Sequence, residues 1–187
     1  MLKATTKVNL KGLDQFLNEL DHDLRAGGQL TGGSPISNAI KQWAVRYRSF
    51  IQERFVLFSR GGGDWAPLKP ATIKRRRKGR GSGLIAAILR DTNTMFAALN
   101  PEFTGKPGAI QEKIPFGVRV GFGGPGRYSK RGKVGKATIA DIASFHQRGA
   151  GHLPKREIIV EPSQKVVDLM AEDMRRALKR LAEDAKI

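Results

Sequence analysis

Apolar positions along the chain follow two periods, one helical and one extended. Within "VNLKGLDQFLNELDHDLRAGG", Leu13, Phe16, Leu17, Leu20 and Leu24 recur at three- and four-residue steps and so share one helical face. Asp14 sits in the first turn, where a negative charge complements the helix dipole, and Gly27 and Gly28 end the pattern. The preceding Thr5 to Leu10 reads as a short strand. A longer helix follows in "SPISNAIKQWAVRYRSFIQERFVLF". Ser34 is its N-cap, and Pro35 fits the first helical position, where a missing N–H costs nothing. Ile36, Ile40, Trp43, Tyr47, Phe50, Ile51, Phe55 and Phe58 form a broad apolar stripe, opposite Lys41, Arg46, Arg48 and Glu53. Aromatic stripes of this kind pack into cores, which assigns Trp43 and Tyr47 to packing rather than to a ligand.

Gly61, Gly62 and Gly63 interrupt the helical period. Beyond them the pattern shortens. Thr92 to Leu99 predicts a short helix after a turn at Asp91–Asn93. "IPFGVRVGF" alternates, with Phe116, Val118, Val120 and Phe122 on one side and Gly117, Arg119 and Gly121 on the other, as a half-buried strand does. Its partner is expected within Glu102 to Lys113. "GGPGRYSKRGKVGKAT" has no periodicity and predicts a mobile loop. "ATIADIASFHQRG" is helical through Ile139, Ile142, Ala143 and Phe145, and "REIIV" predicts a short strand. From Pro162 a last helix places Val166, Met170, Met174, Leu178, Leu181 and Ala185 on one face. This order predicts an α+β fold. A small antiparallel sheet is flanked by N-terminal helices and a long C-terminal helix, with long basic Gly-rich loops. At 187 residues the chain is expected to be a single domain: a helical part over 1–60, a basic loop and sheet core over 61–160, and the C-terminal helix over 161–187.

Composition narrows the chemistry. The absence of Cys excludes disulfides, thiolate metal sites and cysteine nucleophiles. Neither a stretch apolar enough to span a bilayer nor a signal-peptide core is visible, so synthesis in a cytosol with no membrane partner is expected. The net charge of +17 is concentrated in the middle. Residues 61–160 hold 19 basic and 6 acidic side chains, whereas residues 161–187 hold 6 of each. Lys74, Arg75, Arg76, Arg77, Lys78 and Arg80 form one run; Arg127, Lys130, Arg131, Lys133 and Lys136 form another. Such a field attracts DNA, RNA or an acidic protein face. Aromatic residues for base stacking are not interleaved, so nucleic-acid binding through these runs would be unspecific.

Catalytic patterns are absent. His146 and His152 lie six apart across a glycine turn, not at a metal-ligand spacing, and His22 stands among Asp21 and Asp23. The Gly-Lys pairs at 132–133 and 135–136 miss both the upstream Gly and the following hydroxyl of a phosphate loop. Carboxylates in the basic middle are too sparse for a metal nuclease. No enzyme, cofactor or metal is expected.

Three segments together resemble a known family. "WAPLKPATIKRR" is similar to a Trp-x-Pro-Leu-x-Pro-x-Thr opening, through Trp65, Leu68, Pro70 and Thr72. "ILRDTNTMFAAL" is similar to Leu-x-Asp-Thr-Gly-x-Leu-x-x-Ser-Leu, through Asp91 and Thr92. Asn93 stands where the family has Gly, and Asn is the residue that best tolerates the positive φ such a Gly suggests. "IASFHQRGAGHLPKREII" is similar to an Ala-x-x-His-Gln-x-Gly segment closing on Pro-x-Arg, through His146, Gln147, Gly149, Pro154 and Arg156. The aromatic usual after that Arg is replaced by Glu157, Ile158 and Ile159. In this order the segments resemble the virion morphogenesis, or tail completion, proteins of tailed bacteriophages. The resemblance implies a non-enzymatic virion part at the neck or tail end. It implies a homo-oligomeric ring, commonly a hexamer, joined to other neck and tail proteins. The basic loops would then face acidic neighbours or packaged DNA. The rival expectation is an unspecific DNA- or RNA-binding module using residues 74–80 and 127–136.

Overall fold

The structure, a computed structural model, describes residues 10–26, 33–77, 86–91, 93–99, 109–123, 127–130, 133–151 and 153–186. Its elements are α1 (Leu10–Arg25), α2 (Pro35–Ser59), α3 (Pro70–Arg75), α4 (Thr94–Ala98), β1 (Ala109–Ile114), β2 (Gly117–Phe122), β3 (Arg127–Lys130), β4 (Lys133–Thr138), α5 (Ile139–Arg148) and α6 (Gln164–Asp184). The fold is α+β, with N-terminal helices, a long C-terminal helix, and strands paired as β1–β2 and β3–β4. No helix among the described residues is long and apolar enough to cross a membrane. The expected strand at Thr5 to Leu10 lies outside the described residues, apart from Leu10, which opens α1.

The chain divides into two compact units, one of residues 1–43, 112–119 and 164–187, the other of 44–111 and 120–163. In the first, Ile36, Ala39 and Ile40 of α2 and Ala177 and Leu181 of α6 form a buried core, against which Phe16, Leu20 and Leu24 of α1 pack. Each fully buried aliphatic chain there contributes roughly 2 kcal/mol. Trp43 packs on this core and its indole N–H donates to Met170 O at 2.8 Å, so its polar edge is satisfied inside the unit. Two expectations fail here. Leu17 is 50% exposed, because the buried width of α1 is narrower than its apolar stripe. Phe116 does not belong to the strand face: it sits in the two-residue turn between β1 and β2 with φ of 60° and is 64% exposed. Its N–H donates to Leu24 O at 2.7 Å.

The second unit is built on the remainder of α2. Ile51 and Phe55 meet Trp65, Ile88, Met95, Leu99, Ile139, Ala143 and Ile158 in one core. The buried stripe of α2 here runs through Ala44, Arg48, Ile51, Phe55 and Ser59, steps of three and four. Arg48 is therefore not on the solvated face that its charge suggested. It is 1% exposed, and its guanidinium donates to Ile110 O at 2.7 Å. Burial lowers its pKa.

Three further departures share a physical cause. Backbone hydrogen bonds, not side-chain periodicity, organise short segments. Within the glycine-rich stretch expected to be a mobile loop, β3 and β4 form an antiparallel ladder with Arg127 opposite Thr138, Ser129 opposite Val134 and Lys130 opposite Lys133. An irregularity falls between Arg127 and Ser129. The basic run begins as a helix, α3, with Pro70 at its first position and Lys69 O accepting from the N–H groups of Thr72 and Ile73. "REIIV" is extended but pairs with no strand among the described residues; side chains take over its ladder, as described below.

Candidate functional site

The three segments of the family resemblance fall within the second unit, and polar side chains of the first and third are used on one another's backbone. α5 begins with a reciprocal cap. Thr138 Oγ1 accepts from Asp141 N at 3.1 Å, and Thr138 N donates to Asp141 Oδ2 at 2.8 Å. The bonds from Thr138 hold the Asp141 carboxyl below the usual carboxylate range. The helix ends at Gly149, with φ of 71° and its N–H on Phe145 O at 3.0 Å. A Cβ there would lie 3.1 Å from Lys155 N. Gly149 is thus required twice, by its left-handed backbone and by the returning chain.

That returning chain is residues 154–160, and side chains clamp it from three directions. Gln147 Oε1 accepts from Ile158 N at 2.7 Å and Ile159 N at 3.0 Å, while its Nε2 donates to Ile159 O at 2.7 Å. The Tyr47 hydroxyl donates to Val160 O at 2.8 Å. The Trp65 indole N–H donates to Glu157 O at 3.1 Å. Arg156 N donates to His146 O at 2.7 Å, and the Arg156 guanidinium donates through Nε and Nη2 to Ala66 O at 3.1 and 2.8 Å. A single amide side chain, Gln147, does the work of a neighbouring strand. This explains how "REIIV" stays extended without a sheet.

Trp65 anchors the first segment. It is 5% exposed, and it meets Phe55 and Phe58 edge-on with ring centroids 5.1 and 5.6 Å away. Arg54 stacks over Phe58 at 4.0 Å and also donates to Glu157 O at 3.3 Å. Leu68 packs on the same core. In the second segment Asn93 precedes α4 with φ of 60°, the left-handed backbone expected from the resemblance of its position to a Gly. Its Oδ1 accepts from Arg90 Nε at 3.0 Å. Leu89 also has a positive φ, 59°, so the Arg90–Asp91 turn is flanked by two left-handed residues.

Between these segments lies a cavity of about 690 Å³. Leu68, Thr72, Asp91, His146, Pro154 and Arg156, drawn from all three segments, line it. Lys69, Arg75 and Arg76 add positive charge, and Leu89, Met95, Ile142 and Leu153 add apolar wall. Arg76, expected to be an exposed member of the basic run, is 8% exposed instead. Its Nη1 donates to Ala87 O at 2.6 Å and its Nε lies 3.5 Å from Asp91 Oδ1. The His146 pKa is lowered to about 4, first by burial and then by the positive charge of Arg156. Its ring is therefore neutral near pH 7, and Nδ1 is buried without a hydrogen-bond partner among the described residues. Burial also lowers the Arg156 pKa.

Lys74, Arg75 and Arg77 are exposed. Arg127, Lys130, Lys133 and Lys136 are placed on β3 and β4. Lys78, Arg80, Thr92 and Arg131 lie outside the described residues. Among the described residues no group of three or more His, Cys, Asp or Glu side chains could hold a metal. Sequence reasoning missed Tyr47 as a clamp donor and Lys69, Leu89, Met95, Ile142 and Leu153 as cavity wall. One signal was available: Ile142 and His146 are four apart on α5 and so share a face.

The residues define an α+β unit whose signature side chains fasten loops and frame a cationic cavity. Comparison with protein-family models, with curated proteins and with solved structures finds no match.

Proposed function

We propose that the chain is a structural virion protein of a tailed phage, of the tail-completion or head–tail joining kind, that assembles as a ring at the neck or tail end. The observation that supports this reading is the convergence of the three resembling segments. Residues near 65–72, 91–93 and 146–156 lie far apart in sequence, yet Trp65 bonds Glu157, Arg156 bonds Ala66, and Asp91 lies against Arg76 in the cavity that Leu68, His146 and Arg156 also line. Polar side chains committed to backbone in this way serve shape. A ring subunit needs a rigid body with complementary surfaces. Light scattering of the purified protein, alone and with candidate neck proteins, tests the ring; labelled particles viewed by electron microscopy test the location. A strict monomer both free and within virions refutes the proposal.

The second reading, unspecific binding to DNA or RNA, is favoured by the exposed Lys74 and Arg75 on α3 and by the basic residues placed on the β3–β4 hairpin. It requires an affinity that falls steeply with salt. Reversing the charges of Lys74, Arg75 and Arg77 should then abolish binding while leaving assembly intact. Loss of assembly instead would place the run in a protein interface.

A further inference from the structure

Arg156 is 5% exposed, and no carboxylate pairs with it among the described residues. Burying a guanidinium costs several kcal/mol unless its donors and its charge are met. The guanidinium carries five N–H donors, and Ala66 O engages Nε and Nη2 only. The remaining donors and the charge itself are left to whatever enters the cavity that Arg156 lines. Among the described residues the one carboxylate in that lining, Asp91, is already placed against Arg76 at 3.5 Å. Lys69 and Arg75 bring further positive charge and are exposed. The neutral His146 ring adds a buried nitrogen that lacks a partner among the described residues.

The remaining lining selects among anions. Leu68, Leu89, Met95, Ile142 and Leu153 make one wall apolar, and no Phe, Tyr or Trp is among the described residues that line it. A free inorganic phosphate would leave that wall wet. A nucleotide base would find no aromatic platform on which to stack. A duplex does not enter a cavity of about 690 Å³. A carboxylate side chain with aliphatic neighbours satisfies both halves: charge-assisted hydrogen bonds at Arg156 and apolar burial opposite.

We propose that this cavity is a receptor for an acidic peptide segment, a Glu or Asp side chain flanked by aliphatic residues, presented by a neighbouring protein of the assembly. The proposal rests on the structural-subunit reading above. It gives that reading a contact: one carboxylate inserted beside Arg156 fixes the register of a neighbour, and the exposed Lys69 and Arg75 draw it in.

The test is titration of the isotope-labelled full chain with the peptide acetyl-Leu-Glu-Leu-amide, followed by amide signals and the Arg156 Nε–H signal. The expected result is saturable shifts confined to cavity residues, with acetyl-Leu-Gln-Leu-amide binding about tenfold more weakly or worse. Arg156→Gln should abolish binding. Because that change also breaks the bonds to Ala66, Arg75→Gln serves as the variant that leaves the clamp intact, and it should weaken binding severalfold. Equal binding of the Glu and Gln peptides, shifts outside the cavity, or no binding would overturn the proposal. So would inorganic phosphate displacing the peptide at lower concentration, which would assign the site to phosphate. A ring without peptide binding removes the receptor alone; peptide binding by a strict monomer removes the ring alone.

Discussion

Replacing Trp65 by Ala removes a buried side chain that, with Tyr47 and Arg54, joins the α2 core to the returning segment. The indole is 5% exposed, edge-on to Phe55 and Phe58, and bonded to Glu157 O at 3.1 Å. Truncating a buried Trp costs about 3–5 kcal/mol, because the neighbours refill the space only in part. Two edge-to-face pairs and one hydrogen bond put Trp65 near the middle of that range, about 4 kcal/mol. Trp65→Phe keeps most of the ring contact and loses the N–H donor, which predicts a loss of about 1.5 kcal/mol. Urea unfolding checks both values, followed by backbone amide signals of residues 44–111 and 120–163. The other tryptophan, Trp43, lies in the first unit and reports by its fluorescence whether that unit is disturbed. A loss below about 1 kcal/mol for Trp65→Ala would refute the claim that this ring carries the core.

Gln147→Ala strands the N–H groups of Ile158 and Ile159 together, so it should cost about 2–3 kcal/mol and speed amide exchange at those two positions; protected amides there would show the clamp to be dispensable. Asn93→Ala should cost about 1 kcal/mol, since Ala at φ of 60° is strained, whereas Asn93→Gly should be near neutral; equal thermal midpoints for the two variants would remove the strain account. His146 has a folded pKa of about 4 against an ordinary value of 6.5, with burial the larger cause and Arg156 the second. The unfolded chain therefore binds the proton more readily, and this residue's contribution is complete above pH 6.5 and lost as the pH falls towards 4. The other charged groups lining its cavity are Lys69, Arg75, Arg76, Asp91 and Arg156. His146→Asn should flatten the stability profile between those pH values, and an unchanged profile would place the imidazole in water.

Much of the architecture was legible along the chain because it depends on local periodicity. The helices α1, α2, α5 and α6 each bury a stripe against a core, and three- and four-residue spacing encodes such a stripe. Asn93 was legible for a different reason: few residues tolerate a left-handed backbone. Arg48 and Arg76 were not legible. Charge predicts exposure for an isolated side chain, but a long guanidinium can be buried where a backbone carbonyl receives it, at Ile110 O and Ala87 O. The extended 156–160 segment was likewise hidden, since its partner is Gln147 rather than a strand.

The basic middle illustrates the division most sharply. By itself the sequence determined that the middle is strongly cationic, free of Cys and without a catalytic spacing. It also placed Trp65, Asp91, His146 and Arg156 in three segments that resemble the motifs of one family. Only the tertiary structure decided that these segments share one cavity, that Arg156 is buried while Arg75 remains exposed, and that the clamp is made of side chains. Spacing along a chain records which residues can share a helix face. It does not record which distant carbonyl a side chain will reach, because that depends on how separate segments return to one core.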